Sequence, residues 1–387
     1  MKLVLCWPNF EQTNAAGVRG RSFAMHLGAL GWDVHAITMP DARAADAAPC
    51  PVETMPLFLH PRHWPAAFGG TGRLARRLKE LRPDVVVASS PPSTFAWQAG
   101  RAAARAGVPY VADVRDLFTA GMRAVFGDKP RYVVAEGLES RFYRDAAAVC
   151  TATGLMGEKL ARDFPEVEAG RVHTVPNGAD PVDRPRMPPP RDLDVLFVGE
   201  MFDRGRRGEE LLDAYARVLK HRPQTRFTFV GWEKNPYTDS LLASASKEVR
   251  AALDLHGRVA RAEVARFSWR ARCGVVPVHP ADVFRTMLPA KAYEYVQSEV
   301  PIVGLGPPGD SELRRFVEGN DLGAFTTTPE AMAEAILGFL TSERERMRVG
   351  DNARRAAPTF TRARAAERLH KDVLVPLLER GGEARRA

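Results

Sequence analysis

Short, unbroken apolar runs alternate along the chain with longer segments whose apolar positions recur every three to four residues. The first half has runs at 2–6 (KLVLC), 33–38, 83–90 (PDVVVASS), 109–114, 147–153 and 171–178. Between them the periodicity predicts helices over about 18–30, 93–106, 133–145 and 154–163, with Gly31 and Gly107 as C-terminal stops. Strands apolar at every position are buried on both faces, so this alternation predicts parallel sheets covered by helices on both sides. At 181–192 the pattern collapses into a proline-rich stretch where neither helix nor ladder persists. It then restarts with runs at 193–199, 226–231, 253–259, 273–278 and 300–305. Helices are expected at 208–220, 238–252, 261–270 and 289–298, another begins near Ser311, and 328–380 is mostly helical.

The count predicts an α/β protein of two Rossmann-like domains, 1–180 and 193–360, joined by a linker at 181–192 and followed by a helix in 361–387. Ligands of such folds lie beyond the carboxyl ends of the strands, here expected in a cleft between two facing sheets. That directs attention to the loops at 7–18, 114–118, 200–208, 231–237 and 279–289.

A length of 387 residues agrees with two cores. Apolar residues make up 45% and charged residues 26%, ordinary values for a globular protein. The N-terminus reads as a strand and lacks the apolar region of a signal peptide, so cytoplasmic residence is the expectation. The four cysteines have no C-x-x-C spacing and read as reduced, mostly buried thiols. Net charge is +8; residues 1–190 hold 23 Lys+Arg against 19 Asp+Glu, so each half carries +4. This even spread argues against a nucleic-acid partner. One basic cluster at 60–82 predicts an amphipathic helix with Arg73, Arg76, Arg77 and Lys79 around a leucine face. It reads either as a solvated face or as a patch for an anionic membrane, with Trp64 and Phe68 as shallow anchors.

The loops carry the candidate chemistry. Gly17 and Gly20 stand at a loop-to-helix junction where backbone N–H groups can meet a phosphate, although neither G-x-G-x-x-G nor a P-loop is present. A strand ends at Gly199, and Arg204, Arg206 and Arg207 then lead into a helix, an arrangement suited to a diphosphate. The same arginines also read as a turn answering Glu209 and Glu210. Lys291 and Glu294, three apart, share one face of the helix after Pro289. A carboxylate there can accept from two vicinal hydroxyls such as those of a ribose, and a structural Lys–Glu pair is the competing reading.

The stretches AAGVRGRSFAMHLGALGWDVHAIT, RPDVVVASSPP, VPYVADVRDLF, VHTVPNGAD, DVLFVGEMF…RRGEELLDAYARV, LHGRV and LPAKAYEYVQSEVPIVG, in that order, resemble glycosyltransferase family 4. This resemblance covers nearly the whole chain and implies the GT-B architecture and a retaining mechanism. The Arg-Asp-Leu run at 115–117 resembles the branch with N-acetylfucosaminyl and related surface-polysaccharide transferases. The family's second donor-site glutamate falls on Glu294, in a Pro-x-Lys-x-x-Glu-Tyr variant that includes Lys291. Its first falls on Thr286, a departure where the sugar hydroxyls are usually met; Met287 and Leu288 follow it in the donor loop. Arg206 aligns with the diphosphate lysine and Arg204 and Arg207 flank it. Gly17, Gly199 and Gly231 match small residues near the donor, and Gly257 and Arg258 match the edge of the nucleotide base. Arg115 stands where many members have His, with Asp116 behind it.

The resemblance thus implies transfer from a nucleotide-diphosphate sugar to a saccharide, lipid-linked or natural-product acceptor. No metal or other cofactor is expected, the leaving diphosphate being met by cations and helix N-termini. A domain binding acceptor (1–180) would precede one binding donor (193–360), with the last helix crossing back to the first. Peripheral contact with the inner membrane face through 60–82 is a further expectation. A UDP-sugar 2-epimerase of the same architecture and a silent sugar-nucleotide-binding relative are the alternatives.

Overall fold

A computed structural model describes residues 1–11, 15–39, 48–55, 64–187, 189–201 and 207–384, with side chains at 15, 64–68, 261 and 381–384 outside the described set. The chain forms two compact units, Met1–Asn177 with Arg362–Ala387, and Gly178–Thr361. Each is built on a wholly parallel sheet.

Unit 1 contains β1 (Lys2–Trp7), β2 (Asp33–Thr38), β3 (Val52–Thr54), β4 (Val85–Ser90), β5 (Tyr110–Val114), β6 (Ala148–Thr151) and β7 (Val172–Thr174). Their spatial order is β3-β2-β1-β4-β5-β6-β7. Unit 2 contains β8 (Leu193–Val198), β9 (Phe227–Val230), β10 (Leu253–His256), β11 (Ala271–Pro277), β12 (Ile302–Leu305) and β13 (Gly323–Thr326), in the order β10-β9-β8-β11-β12-β13. In both sheets the strand order reverses beside the first strand, between β1 and β4 and between β8 and β11. Loops leaving such a pair diverge to opposite faces and open a crevice at the carboxyl edge.

The central strands are buried along their length, as their uniform apolarity requires; every residue of β4 and β5 is buried. On one side of the unit 1 sheet, the helix Ala15–Ala29 packs against the C-terminal segment. Ala365, Ala366, Leu369, Val373 and Leu374 enter the same core as Trp7, Phe23 and Leu27. Trp32 Nε1–H donates to His370 Nδ1 at 3.0 Å. The helices Trp64–Leu81, Ser93–Ala106 and Pro130–Arg144 lie side by side in a separate layer. Among the described residues no helix is long and apolar enough to cross a membrane.

Some elements differ from the sequence pattern. Strands β3 and β13 are added at sheet edges, too short for periodicity to reveal. The run at 171–178 forms a strand only over Val172–Thr174. The expected helix 238–252 breaks into Pro236–Ser244 and Lys247–Ala252, because Ser246 Oγ accepts from Val249 N–H and caps a new start. Pro289 lies just outside its helix, which spans Ala290–Gln297. A helix at Phe118–Phe126 has no counterpart in the expected elements. Buried Glu139 anchors it, accepting from Ser93 Oγ at 2.6 Å and Thr119 Oγ1 at 2.7 Å.

Candidate functional site

At the carboxyl edge of unit 2, the crevice between β8 and β11 is shaped by Tyr295. Ladder pairing between these strands runs as far as Leu196 opposite Gly274. Beyond that pair the Tyr295 hydroxyl donates to Leu196 O at 3.0 Å and accepts from Val198 N–H at 3.1 Å. Its ring lies on Gly274, where an added Cβ would fall 2.5 Å from a ring carbon. A side chain thus satisfies the backbone groups that a continuing ladder would have paired, and the strands part. The same residue fixes the register of Ala290–Gln297, the helix that bears Lys291 and Glu294.

Lys291 lies in the first turn of that helix, with Nζ 3.7 Å from the centroid of the buried Phe197 ring. A cation at a helix N-terminus opposes the macrodipole. Here the ring face stabilises the ammonium at that helix end. The approach requires bare backbone opposite: a Cβ on Gly199 would lie 3.3 Å from Lys291 Nζ. Gly199 has φ +121° and Gly231 has φ +99°, and a Cβ on Gly231 would lie 3.0 Å from Gly199 O. Both positions therefore demand glycine. Gly231 N–H reaches His256 O and Gly257 O at 3.0 and 3.1 Å, which ties together the ends of β9 and β10. Glu294 is half-buried one turn beyond Lys291.

Arg204 and Arg206 lie outside the described residues. Arg207 is described, and its guanidinium is committed to the fold. It is 4% exposed, makes a bidentate pair with Glu210 at 2.7 and 2.5 Å, and points Nη1 at Val278 O and Gly306 O, each 3.4 Å away. It clasps the ends of β11 and β12, combining the expected pairing to a glutamate with burial where a solvated turn was the competing reading. Thr286 is buried at the end of a 3₁₀ turn, and its hydroxyl donates to Val283 O at 2.7 Å. Met287 and Leu288 are half-buried and pack on the core beneath the Lys291 helix. Gly257 is exposed, and Arg258 pairs with Glu200 and, at 2.6 Å, with Glu233, from the loops after β8 and β9. In the loop after β11, His279 Nδ1 accepts from Ala281 N–H at 3.2 Å, which puts the proton of the neutral ring on Nε2.

In unit 1 the equivalent edge lies between β1 and β4. A Cβ on Gly17 would strike Glu11 O at 2.2 Å, so the helix can start against the loop only with glycine there. Arg115 donates through Nε to Ser89 Oγ at 2.9 Å and through Nη2 to Pro91 O, and burial lowers its guanidinium pKa. Asp116 is half-buried beside it. The pattern gave no sign of the central ion pair: Arg19 Nη2 to Asp113 Oδ1, 2.7 Å, with side chains 3% and 1% exposed. Arg19 also donates to Val175 O and Pro176 O, and so holds the Pro-Asn-Gly turn against the sheet. Such a charge is tolerated in the interior only because nearly every N–H finds an acceptor.

Among the described residues no three His, Cys, Asp or Glu side chains group so as to hold a metal. The cysteines are free, and burial pushes the Cys6 and Cys273 thiols up to about 12, far from nucleophilic thiolates.

Two family models match the chain in sequence. A glycosyl transferase 4-like domain covers 14–178, and a domain of glycosyl transferases group 1 covers 192–342. No curated protein matches the sequence significantly. Among solved structures, a sucrose-phosphate synthase from Thermosynechococcus elongatus is similar, with a TM-score of 0.74 at 16% identity over 96% of this chain and 98% of that one. Anabaena Alr3699/HepE, solved with UDP and glucose, gives 0.70 at 14% identity over 96% and 99%. A UDP-N-acetylglucosamine 2-epimerase assignment from Listeria monocytogenes gives 0.59 at 13% over 95% and 94%. The fold is GT-B, and the chain belongs to the family 4-like glycosyltransferases, whose activity is glycosyl transfer.

Proposed function

We propose that this enzyme takes its sugar from a nucleoside-diphosphate donor bound at the carboxyl edge of unit 2 and transfers it with retention of configuration. The observation that carries the reading is the placement of Lys291 in the first turn of a helix at the β8–β11 crevice. Lys291 stands there over Phe197, and the strand ends opposite are cleared by Gly199 and Gly231. A leaving diphosphate develops charge, and a preorganised cation and helix dipole stabilise it with little reorganisation. Glu294 is assigned to the ribose hydroxyls, Thr286, Met287 and Leu288 to the sugar, Gly257 and Arg258 to the base edge. Arg204 and Arg206 are assigned to the diphosphate, and Arg207 to positioning. Gly17, Arg115 and Asp116 are unit 1's contribution. No metal ion is required in this reading, so chelation should leave transfer intact.

A lipid-linked saccharide at an anionic membrane surface is the acceptor this reading favours, with exposed Arg73, Arg76 and Lys79 as its support; a soluble natural product is the alternative. The side chains of Trp64 and Phe68, expected as anchors, lie outside the described residues.

The test is a thermal-shift series with UDP, GDP, dTDP, CDP and ADP on wild type and Glu294→Ala. One nucleotide should stabilise the wild type, by about 2.7 kcal/mol at a hundredfold excess over Kd, and the variant should lose most of that gain. Stabilisation by none, or a gain unchanged in the variant, would remove the donor assignment. A 2-epimerase is the second reading, favoured by the similarity to an enzyme of that description. It requires isomerised donor sugar to accumulate with no acceptor present.

A further inference from the structure

Phe118 (40% exposed), Phe126 (41%), Val133 (64%) and Val134 (42%) form a concentration of exposed large apolar side chains within one two-helix segment of unit 1. The helix Pro130–Arg144 returns the chain to the start of β6, so it runs antiparallel to the strands and begins at the carboxyl edge. Val133 and Val134 therefore stand at that edge, beside the turn 127–129. The inner side of the same helix is fully used: Tyr132, Leu138, Phe142 and Tyr143 are buried. The bonds from Ser93 and Thr119 to buried Glu139 fix the preceding helix, so Phe118 and Phe126 are carried by an anchored element.

Charge accompanies the apolar rim. Lys129 Nζ lies 5.9 Å from the Phe126 ring, and the Arg131 guanidinium lies 5.0 Å over Tyr132. Behind them, the layer of three adjacent helices exposes Arg73, Arg76 and Lys79, then Arg101 and Arg105, then Arg141. The helices Trp64–Leu81, Ser93–Ala106, Phe118–Phe126 and Pro130–Arg144 hold ten Lys and Arg against three Glu. That excess of seven is larger than the +4 of residues 1–190, so the rest of this half is acidic. Positive charge is concentrated on one layer, which an overall count conceals.

We propose that this surface docks on an anionic lipid bilayer, with Phe126, Val133 and Val134 entering the acyl boundary and the cations of the helix layer resting on lipid phosphates. Exposed aromatic and β-branched side chains flanked by Lys and Arg meet both halves of the interface, apolar and charged. A solvated basic face would not need the apolar rim. The proposal rests on the transferase reading only for its purpose, which is to bring a lipid-linked acceptor to the carboxyl edge of unit 1.

The experiment is co-sedimentation of the full chain with phosphatidylcholine vesicles and with vesicles of phosphatidylcholine and phosphatidylglycerol, at low and high salt. Three chains are compared: wild type, F126S/V133S/V134S and K129E/R131E. Wild type should bind the anionic vesicles, and salt should weaken it. The charge-reversal pair should lose about fivefold for each cation removed. The serine variant should lose at least tenfold, and the loss should persist at low salt. All replaced residues are exposed, so melting temperatures should match. Wild type that ignores both vesicles overturns the proposal. So does binding that survives the serine variant but is abolished by R73E/R76E/K79E, which would move the contact to the helix Trp64–Leu81. A dimer of wild type that the serine variant dissociates, without vesicle binding, would give the face to a second copy. Nucleotide thermal shifts on the same samples separate the two readings: a chain stabilised by UDP yet indifferent to vesicles refutes the docking surface alone.

Discussion

Tyr295→Phe tests whether a single hydroxyl shapes the β8–β11 crevice. The substitution keeps the ring on Gly274 and deletes only Oη. Leu196 O, buried, loses its donor, and Val198 N–H, partly buried, loses its acceptor. An unpaired buried polar group costs about 1–3 kcal/mol, and a partly exposed one falls at or below the lower end. The pair should therefore destabilise unit 2 by about 2–4 kcal/mol. For a domain of this size, each kcal/mol lowers Tm by about 2–4 °C, so calorimetry should show a drop on the order of 5–15 °C. Kinetics add an independent readout. If the hydroxyl also sets the register of the helix carrying Lys291 and Glu294, kcat/KM for the donor should fall by about 10–100-fold even well below Tm, because a displacement near 1 Å can cost about 100-fold. A Tm change of under about 2 °C with unchanged donor kinetics would refute the account of strand parting. A large Tm change with unchanged kinetics would leave Tyr295 a structural residue only.

Two further outcomes follow from unit 1. Burial raises the Glu139 pKa above its usual 4.5, so folding favours the protonated acid; its contribution is fully present below the unfolded pKa and is lost as pH rises through the folded one. Glu139→Gln should abolish that loss, so the stability difference between variant and wild type should grow in the variant's favour as pH rises above about 4.5. Urea unfolding across pH measures it, and a flat difference would refute it. Deleting Arg362–Ala387 strips Leu369, Val373 and Leu374, each at most 1% exposed, from the unit 1 core. Each buried aliphatic side chain is worth about 1.5–3 kcal/mol, so the truncated chain should show unit 1 opening to limited proteolysis while unit 2 resists. Equal protection of both units would contradict this.

The parallel sheets were legible because their central strands are apolar at every position, a pattern that only burial on both faces explains. The edge strands Val52–Thr54 and Gly323–Thr326 escaped the pattern, since three or four residues exposed on one side leave no periodicity to detect. The helix Phe118–Phe126 escaped for another reason. Its start is secured by Glu139, about twenty residues downstream, and not by a capping residue of its own. Glycines at strand ends were readable at Gly199 and Gly231 because a positive φ leaves little alternative. The ion pair Arg19–Asp113 was not, because it joins residues 94 positions apart that no local spacing relates.

The cations show where such reading stops. Arg207 and Lys291 each follow a strand of unit 2 and stand at a helix start, and by residue type the arginine is the better diphosphate ligand. The fold reverses that order. Arg207 takes a left-handed backbone, φ +54°, that turns its guanidinium inward to Glu210 and the carbonyls ending β11 and β12. Lys291 is held over an aromatic face at a helix end whose dipole has the same sign as its own charge. The Phe197 ring face stabilises that ammonium, whereas the arginine's bonds tie it to Glu210 and to the strand-end carbonyls. The arginine therefore positions strand ends, and the lysine is the one of the two that the proposed donor site draws on.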